Sequence, residues 1–145
     1  NKKTCTCSEF QINRYKSRLS GPLLDRIDIQ IKVQRLSDEE LLNGEMSESS
    51  ETIRQRVVNA RKIQLERYKN EGILTNSELT SKLIRKYCKI DDKTKQFLKN
   101  AINQFNLSAR AYDRILKISR TIADIEGAKD IKLEHVAQSL QLRSI

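Results

Sequence analysis

One segment of the chain alternates between apolar and polar residues, and the rest repeats with helical spacing. Ile27, Ile29, Ile31 and Val33 are interleaved with Asp28, Gln30, Lys32 and Gln34. Four consecutive matches to period two predict a β-strand with one apolar face. Ahead of it, Phe10, Ile12 and Tyr15 predict a helix over residues 9–18. Ser20-Gly21-Pro22 stops that helix, and Pro22 suits the first position of a short helical turn over residues 23–26, where its missing N–H is not needed.

Beyond residue 51 the pattern is helical throughout. Residues 52–69 set Ile53, Val57 and Ala60 on one side; residues 77–87 carry Leu79, Leu83, Ile84 and Tyr87. Residues 91–105 carry Phe97, Leu98, Ala101, Ile102 and Phe105. Over residues 108–126, Ala111, Ile115, Ile118, Ile122 and Ile125 follow at alternating steps of four and three, and Gly127 is placed as a C-cap. A last helix, 132–142, uses Leu133, Val136, Ala137 and Leu140. Helices joined by short polar turns pack as a bundle.

A lone strand leaves its backbone groups without neighbours. The reading is therefore mainly α, with residues 1–35 expected to be a remnant (helix, turn, one strand) of an α/β core. The other strands of that core are expected upstream, in an N-terminal remainder of the same protein. Residues 36–51 read as an acidic linker and residues 52–145 as a helical domain.

Charge sharpens this division. Residues 37–51, SDEELLNGEMSESSE, hold six acids and no base, so the remainder carries about +15 against a net +9 for the whole chain. Such a surplus attracts polyanions, nucleic acid first among them. Arg54, Arg61, Lys62, Lys86 and Lys93 are the candidate DNA contacts; solvated helix faces are an equally good account of the charge alone. No apolar run approaches the roughly 20 residues of a membrane span, and the N-terminus lacks the apolar stretch of a signal peptide, so a cytoplasmic location and no membrane contact are expected.

Three cysteines, Cys5, Cys7 and Cys88, do not make a disulfide framework. Cys88 falls in a helical pattern and reads as a buried small hydrophobe. His135, the single histidine, reads as a surface or packing residue, and no metal site is expected in this chain. A phosphate loop of the form G-x-x-x-x-G-K-[ST] is absent, as is an apolar strand ending in paired acids. The chain alone is not expected to hydrolyse ATP or to bind a cofactor.

The blocks SGPLLDRIDIQI, SSETIRQRVVNARKIQLERY, LSARAYDRILKISRTIADIEG and HVAQSLQLR resemble the C-terminal third of the magnesium-chelatase-like AAA+ ATPases, the family of the competence protein ComM and the YifB proteins. The resemblance runs over essentially the whole chain. It implies the end of a nucleotide-binding core followed by a helical lid. By resemblance, LLDRID is an arginine-finger motif with Arg26 as the finger, acting in trans on ATP bound elsewhere. A planar, permanently charged guanidinium on a rigid turn suits charge developing on a γ-phosphate, and Asp25 and Asp28 are placed to orient it. The bland reading is that Arg26 pairs with those aspartates.

Arg110 by resemblance is the sensor-2 residue of the lid, with Arg114 as second candidate for nucleotide contact. Ser108 is a good N-cap, which sets Arg110 in a first turn where the helix dipole opposes a cation, and an anion relieves that opposition. Arg114 has a pair with Asp113 or Asp124 as its structural alternative. The resemblance further implies ATP and magnesium in the whole protein, a homo-oligomeric ring, six subunits by family habit, and ATP-driven remodelling of DNA in competence or recombination. Magnesium insertion into a porphyrin is the enzymatic alternative, and a non-catalytic helical DNA-binding module is the other. Family members carry further cysteines upstream, with which Cys5 and Cys7 would complete a zinc site.

Overall fold

The computed structural model describes residues 6–18, 23, 26–31, 33, 42 and 47–143. Cys5, Pro22, Leu24, Asp25, Lys32, Gln34 and most of the acidic linker lie outside the described residues. Among the described residues the architecture is all helical: α1 Glu9–Lys16, α2 Ser50–Tyr68, a 3-10 turn Asn76–Glu78, α3 Ser81–Tyr87, α4 Asp92–Gln104, α5 Ala109–Ile125 and α6 Leu133–Gln141. No helix among them is long and apolar enough to cross a membrane.

Each helix of the bundle begins where a side chain or turn relieves its free N–H groups. Ser49, Thr80, Asp91 and Ser108 accept from the N–H three residues on, at the starts of α2, α3, α4 and α5. Gly127 ends α5 at φ +70°, a backbone position that L side chains rarely take. The single helix expected over 77–87 is divided. Asn76–Glu78 forms its own turn, Leu79 is extended, and α3 starts afresh from Thr80. Glu78 ties the first piece by accepting from the N–H groups of Leu74 and Thr75, while Leu79 is buried.

Helix α5 is the centre of the bundle and packs most extensively on α6, then on α2. Its buried stripe includes Ala111, Ile115, Ile118, Ser119 and Ala123, and the small members bring α6 close. Ser139 of α6 and Ser119 both donate to the Ile115 carbonyl, at 3.1 and 2.7 Å. Tyr68, Leu98, Ile115 and Val136 are buried at the core, and the Tyr68 and Tyr87 rings meet edge to face at 5.2 Å.

The pattern overstated burial on α2: Ile53 and Val57 are 45% and 49% exposed, and Ala60, Gln64 and Tyr68 are the residues that α2 buries. Phe105 and Ile125 are likewise exposed, and α1 shows Phe10 and Tyr15 to solvent.

The expected strand is not formed. Residues 27–31 and 33 carry no strand pairing; the main-chain link to the bundle is the Gln30 N–H to the Leu142 carbonyl, 2.6 Å. A ladder needs a second extended segment, and none among the described residues lies alongside. The alternation is nonetheless visible as two sides of the segment. Ile27, Ile29, Ile31 and Val33 are exposed, rising from 40% to 82%, while Asp28 and Gln30 make the contacts to the helices.

Candidate functional site

The arginine candidates converge on the first two turns of α5. Arg26 closes the short turn anticipated from the sequence, its N–H reaching the Leu23 carbonyl at 3.0 Å. Its residue is exposed, and its guanidinium is hydrogen-bonded to no other described residue. Asp28, expected to orient Arg26, is instead taken by Arg114. Arg114 Nη1 donates to Asp28 Oδ1 at 2.5 Å and to the Arg26 carbonyl oxygen at 2.6 Å. One half-buried arginine of α5 therefore holds the C-terminal end of the turn, at the Arg26 carbonyl and at Asp28 just beyond it, without engaging the Arg26 guanidinium. The alternatives considered for Arg114 are excluded by the same contacts. Asp113 accepts from the Ser81 hydroxyl at 2.8 Å, and Asp124 is committed elsewhere.

Arg110 lies one turn before Arg114, on the same face of α5. Ser108 caps the helix as expected, its hydroxyl accepting from the Ala111 N–H at 3.3 Å. Arg110 is exposed. A groove of about 410 Å³ lies beside Asp28, Ile29, Arg114 and Lys117.

The candidate DNA contacts are not gathered into one site. Arg54, Arg61 and Lys62 are exposed on α2, with Arg61 hydrogen-bonded to Gln64 at 3.3 Å. Lys93 stands in the first turn of α4 next to Asp91 and Asp92. Lys86 of α3 is occupied: it pairs with Glu71 at 2.5 Å and sits 4.9 Å over the Tyr87 ring. The hydrogen bonds from Lys86 and Tyr87 hold the Glu71 carboxyl below its usual range and raise Lys86.

Two buried clusters went unread in the sequence. In the first, Asp124 accepts from both terminal nitrogens of Arg67, from Arg120 Nε at 3.1 Å and from Asn76 Nδ2 at 2.9 Å. Arg120 also donates to the carbonyls of Lys129 and Ala128, and the Tyr68 hydroxyl donates to Asn76. Burial opposes the Arg67 charge, but its hydrogen bonds to Asp124 and Tyr68 outweigh that and raise its pKa. The signal was available as Arg120 and Asp124, four apart inside a helix with a dense apolar stripe.

In the second cluster, His135 is fully buried, which decides between its surface and packing readings. The Lys132 N–H donates to Nδ1 at 2.9 Å, so Nε2 carries the ring proton toward Glu126 at 3.0 Å. Glu126, Glu134 and His135 bring possible ligand atoms within 4.8 Å of one another. A ring accepting at Nδ1 and protonated at Nε2 has no lone pair left for an ion, so His135 serves as a cap for α6 rather than a ligand. Cys88 is buried as expected, and burial pushes its thiol up to about 11. Cys7 is exposed.

Comparison with known proteins adds a family to this geometry. Residues 47–143 match the family model described as magnesium chelatase, subunit ChlI C-terminal, and residues 1–41 match the one described as magnesium chelatase, subunit ChlI. The chain is 46% identical over 139 residues to the competence protein ComM of Haemophilus influenzae, covering 95% of this chain and 26% of that protein. It is 37% and 36% identical to the uncharacterized proteins YifB of Salmonella typhimurium and Escherichia coli, over 96% of this chain and 27% of each of theirs. The chain thus spans about a quarter of the length of the curated relatives it matches.

Proposed function

The chain belongs to the magnesium chelatase ChlI C-terminal family, and from that premise we propose that it is the lid and arginine-bearing turn of a ring-forming AAA+ ATPase that remodels DNA. The observation that carries the reading is the hold of Arg114 on the C-terminal end of the Arg26 turn, through the Arg26 carbonyl and Asp28. A residue needed only for solubility has no use for such fixing. A finger does, because a guanidinium stabilises transition-state charge only when its approach is set in advance.

In this reading ATP, accompanied by magnesium, is the substrate, bound by a phosphate loop outside this chain. Arg26 reaches across a subunit boundary to the γ-phosphate, and Arg110, at the start of α5, contacts the same nucleotide's phosphates. The residues suit that anion: both arginines are exposed, and Asp28, the acid nearest the turn among the described residues, is already paired. Because Arg110 and Arg114 share α5, a change of nucleotide state that shifts the lid also shifts the finger turn. Residues 52–145 form the moving domain.

The partner is DNA, the choice favoured by the basic surplus of the chain and by the relation to a competence protein. The test is the ATPase rate of the full-length protein with and without single-stranded or forked DNA. Several-fold stimulation supports the motor reading. Hydrolysis that ignores DNA overturns it in favour of a tetrapyrrole or protein substrate.

A further inference from the structure

The end of α3 and the connection after it present cations of two kinds, and only one is neutralised. Lys86 is paired with Glu71. Arg85 in the last turn of α3 and Lys89, just beyond the helix end, form no ion pair with any described residue. They border an open groove of about 560 Å³ between α3 and α5, to which α4 adds Lys95. Ile84, Cys88 and Leu116 make its apolar floor. Tyr112, 38% exposed, stands at its α5 side. The single carboxylate in the lining is Asp113, already accepting from the Ser81 hydroxyl at 2.8 Å.

We propose that this groove is a binding channel for single-stranded DNA on the lid, an inference that rests on the DNA reading above and gives it a place. Three cations facing one engaged carboxylate suit a phosphate backbone. An exposed aromatic ring above an apolar floor suits an unpaired base, which a duplex does not offer and an acidic peptide does not supply. Arg85 spends one donor on the Ser81 carbonyl at 3.3 Å and keeps its others for phosphate. Lys95 is held by the fully exposed Asp92 at 3.0 Å, a surface pair that a phosphate replaces at little cost. A strand seated here bears on α5, the helix that carries Arg110 and Arg114, so the load and the nucleotide contacts act on one rigid element. None of Arg54, Arg61, Lys62, Lys86 and Lys93 lines this groove; Arg85, Lys89 and Lys95, from the same basic run of the sequence as Lys86 and Lys93, do.

The experiment measures binding of a fluorescent 30-nucleotide oligo-dT to the full-length protein over a salt series. Four proteins are compared: wild type, Arg85→Glu with Lys89→Glu, Tyr112→Ala, and a charge-matched control, Lys69→Glu with Lys129→Glu, at the other end of α5. The groove double variant is expected to lose at least tenfold in affinity and to flatten the salt slope by about 1.4, two phosphates at about 0.7 each. Tyr112→Ala is expected to lose about fivefold at an unchanged slope, and the control to stay near wild type. Wild-type affinity and slope in the double variant overturn the groove while leaving DNA as the partner. Equal losses in groove and control variants reduce the effect to net charge and overturn it as well. No binding by the wild type overturns the DNA reading itself, and the groove with it.

Discussion

Arg114 holds two atoms at once: the Arg26 carbonyl oxygen at 2.6 Å and Asp28 Oδ1 at 2.5 Å. The contacts span 88 and 86 positions of sequence and join the turn that carries Arg26 to the helix that carries Arg110. On the proposed reading Arg114 positions the Arg26 turn rather than contacting nucleotide. Arg114→Ala in the full-length protein is therefore expected to lower kcat for ATP hydrolysis at least tenfold with little change in KM. Arg114→Lys, which keeps the charge and a nitrogen with more than one N–H but shortens the reach, is expected to restore part of the loss. A raised KM with kcat preserved would instead make Arg114 a nucleotide contact.

Asp124 balances two buried guanidiniums, and removing it leaves both without their anion. Asp124→Ala is expected to destabilise the helical bundle by about 3–5 kcal/mol, the usual cost of breaking a buried ionic cluster by deleting one partner. Urea denaturation followed by circular dichroism measures it. A loss below about 1 kcal/mol would mean that water reaches Arg67 and Arg120.

Gly127 takes φ +70°, and a Cβ built there meets nothing within 4 Å. The cost of Gly127→Ala is then purely conformational, about 1–2 kcal/mol for a left-handed alanine. The thermal midpoint is expected to fall by a few degrees, with no change in helical content at low temperature.

The two cysteines with described environments differ in reactivity for a physical reason. Cys7 is exposed, whereas burial raises the Cys88 thiol to about 11 from an ordinary value near 9. A colourless-to-yellow disulfide reagent at pH 8 is expected to modify Cys7 promptly and Cys88 only after denaturation. The same shift has a sign for stability. The unfolded thiol ionises first, so the contribution is complete below about pH 9 and declines as pH rises toward 11. Prompt modification of Cys88 at pH 8 in the folded protein would contradict its burial.

Helix existence and capping were legible because they are local: Ser108 and Gly127 announce their roles within four residues. Burial was legible only where the apolar stripe was dense. The α5 stripe around Ile115 is buried at its centre, while Ile53, Val57 and Phe105, which share apolar spacing with their helix neighbours, are exposed. The strand failed for a related reason. Alternation reports two unlike faces, but whether they meet a ladder depends on a partner segment, and residues 27–33 have none among the described residues. Arg26 and Arg110 were found by resemblance; the Arg114 grip was not, because it depends on bringing residues 86 and 88 positions apart into contact. The Arg67, Arg120 and Asp124 cluster was missed because buried arginines look in sequence like any other basic residue on a basic chain.

The central claim is that Arg26 is a finger. Single-turnover hydrolysis by the full-length Arg26→Ala protein tests it most directly, alongside nucleotide binding by the same variant. The account predicts a fall in the chemical step of at least a thousandfold, with nucleotide affinity retained. A rate within a few-fold of wild type would contradict it and return Arg26 to the status of a surface side chain on a well-held turn.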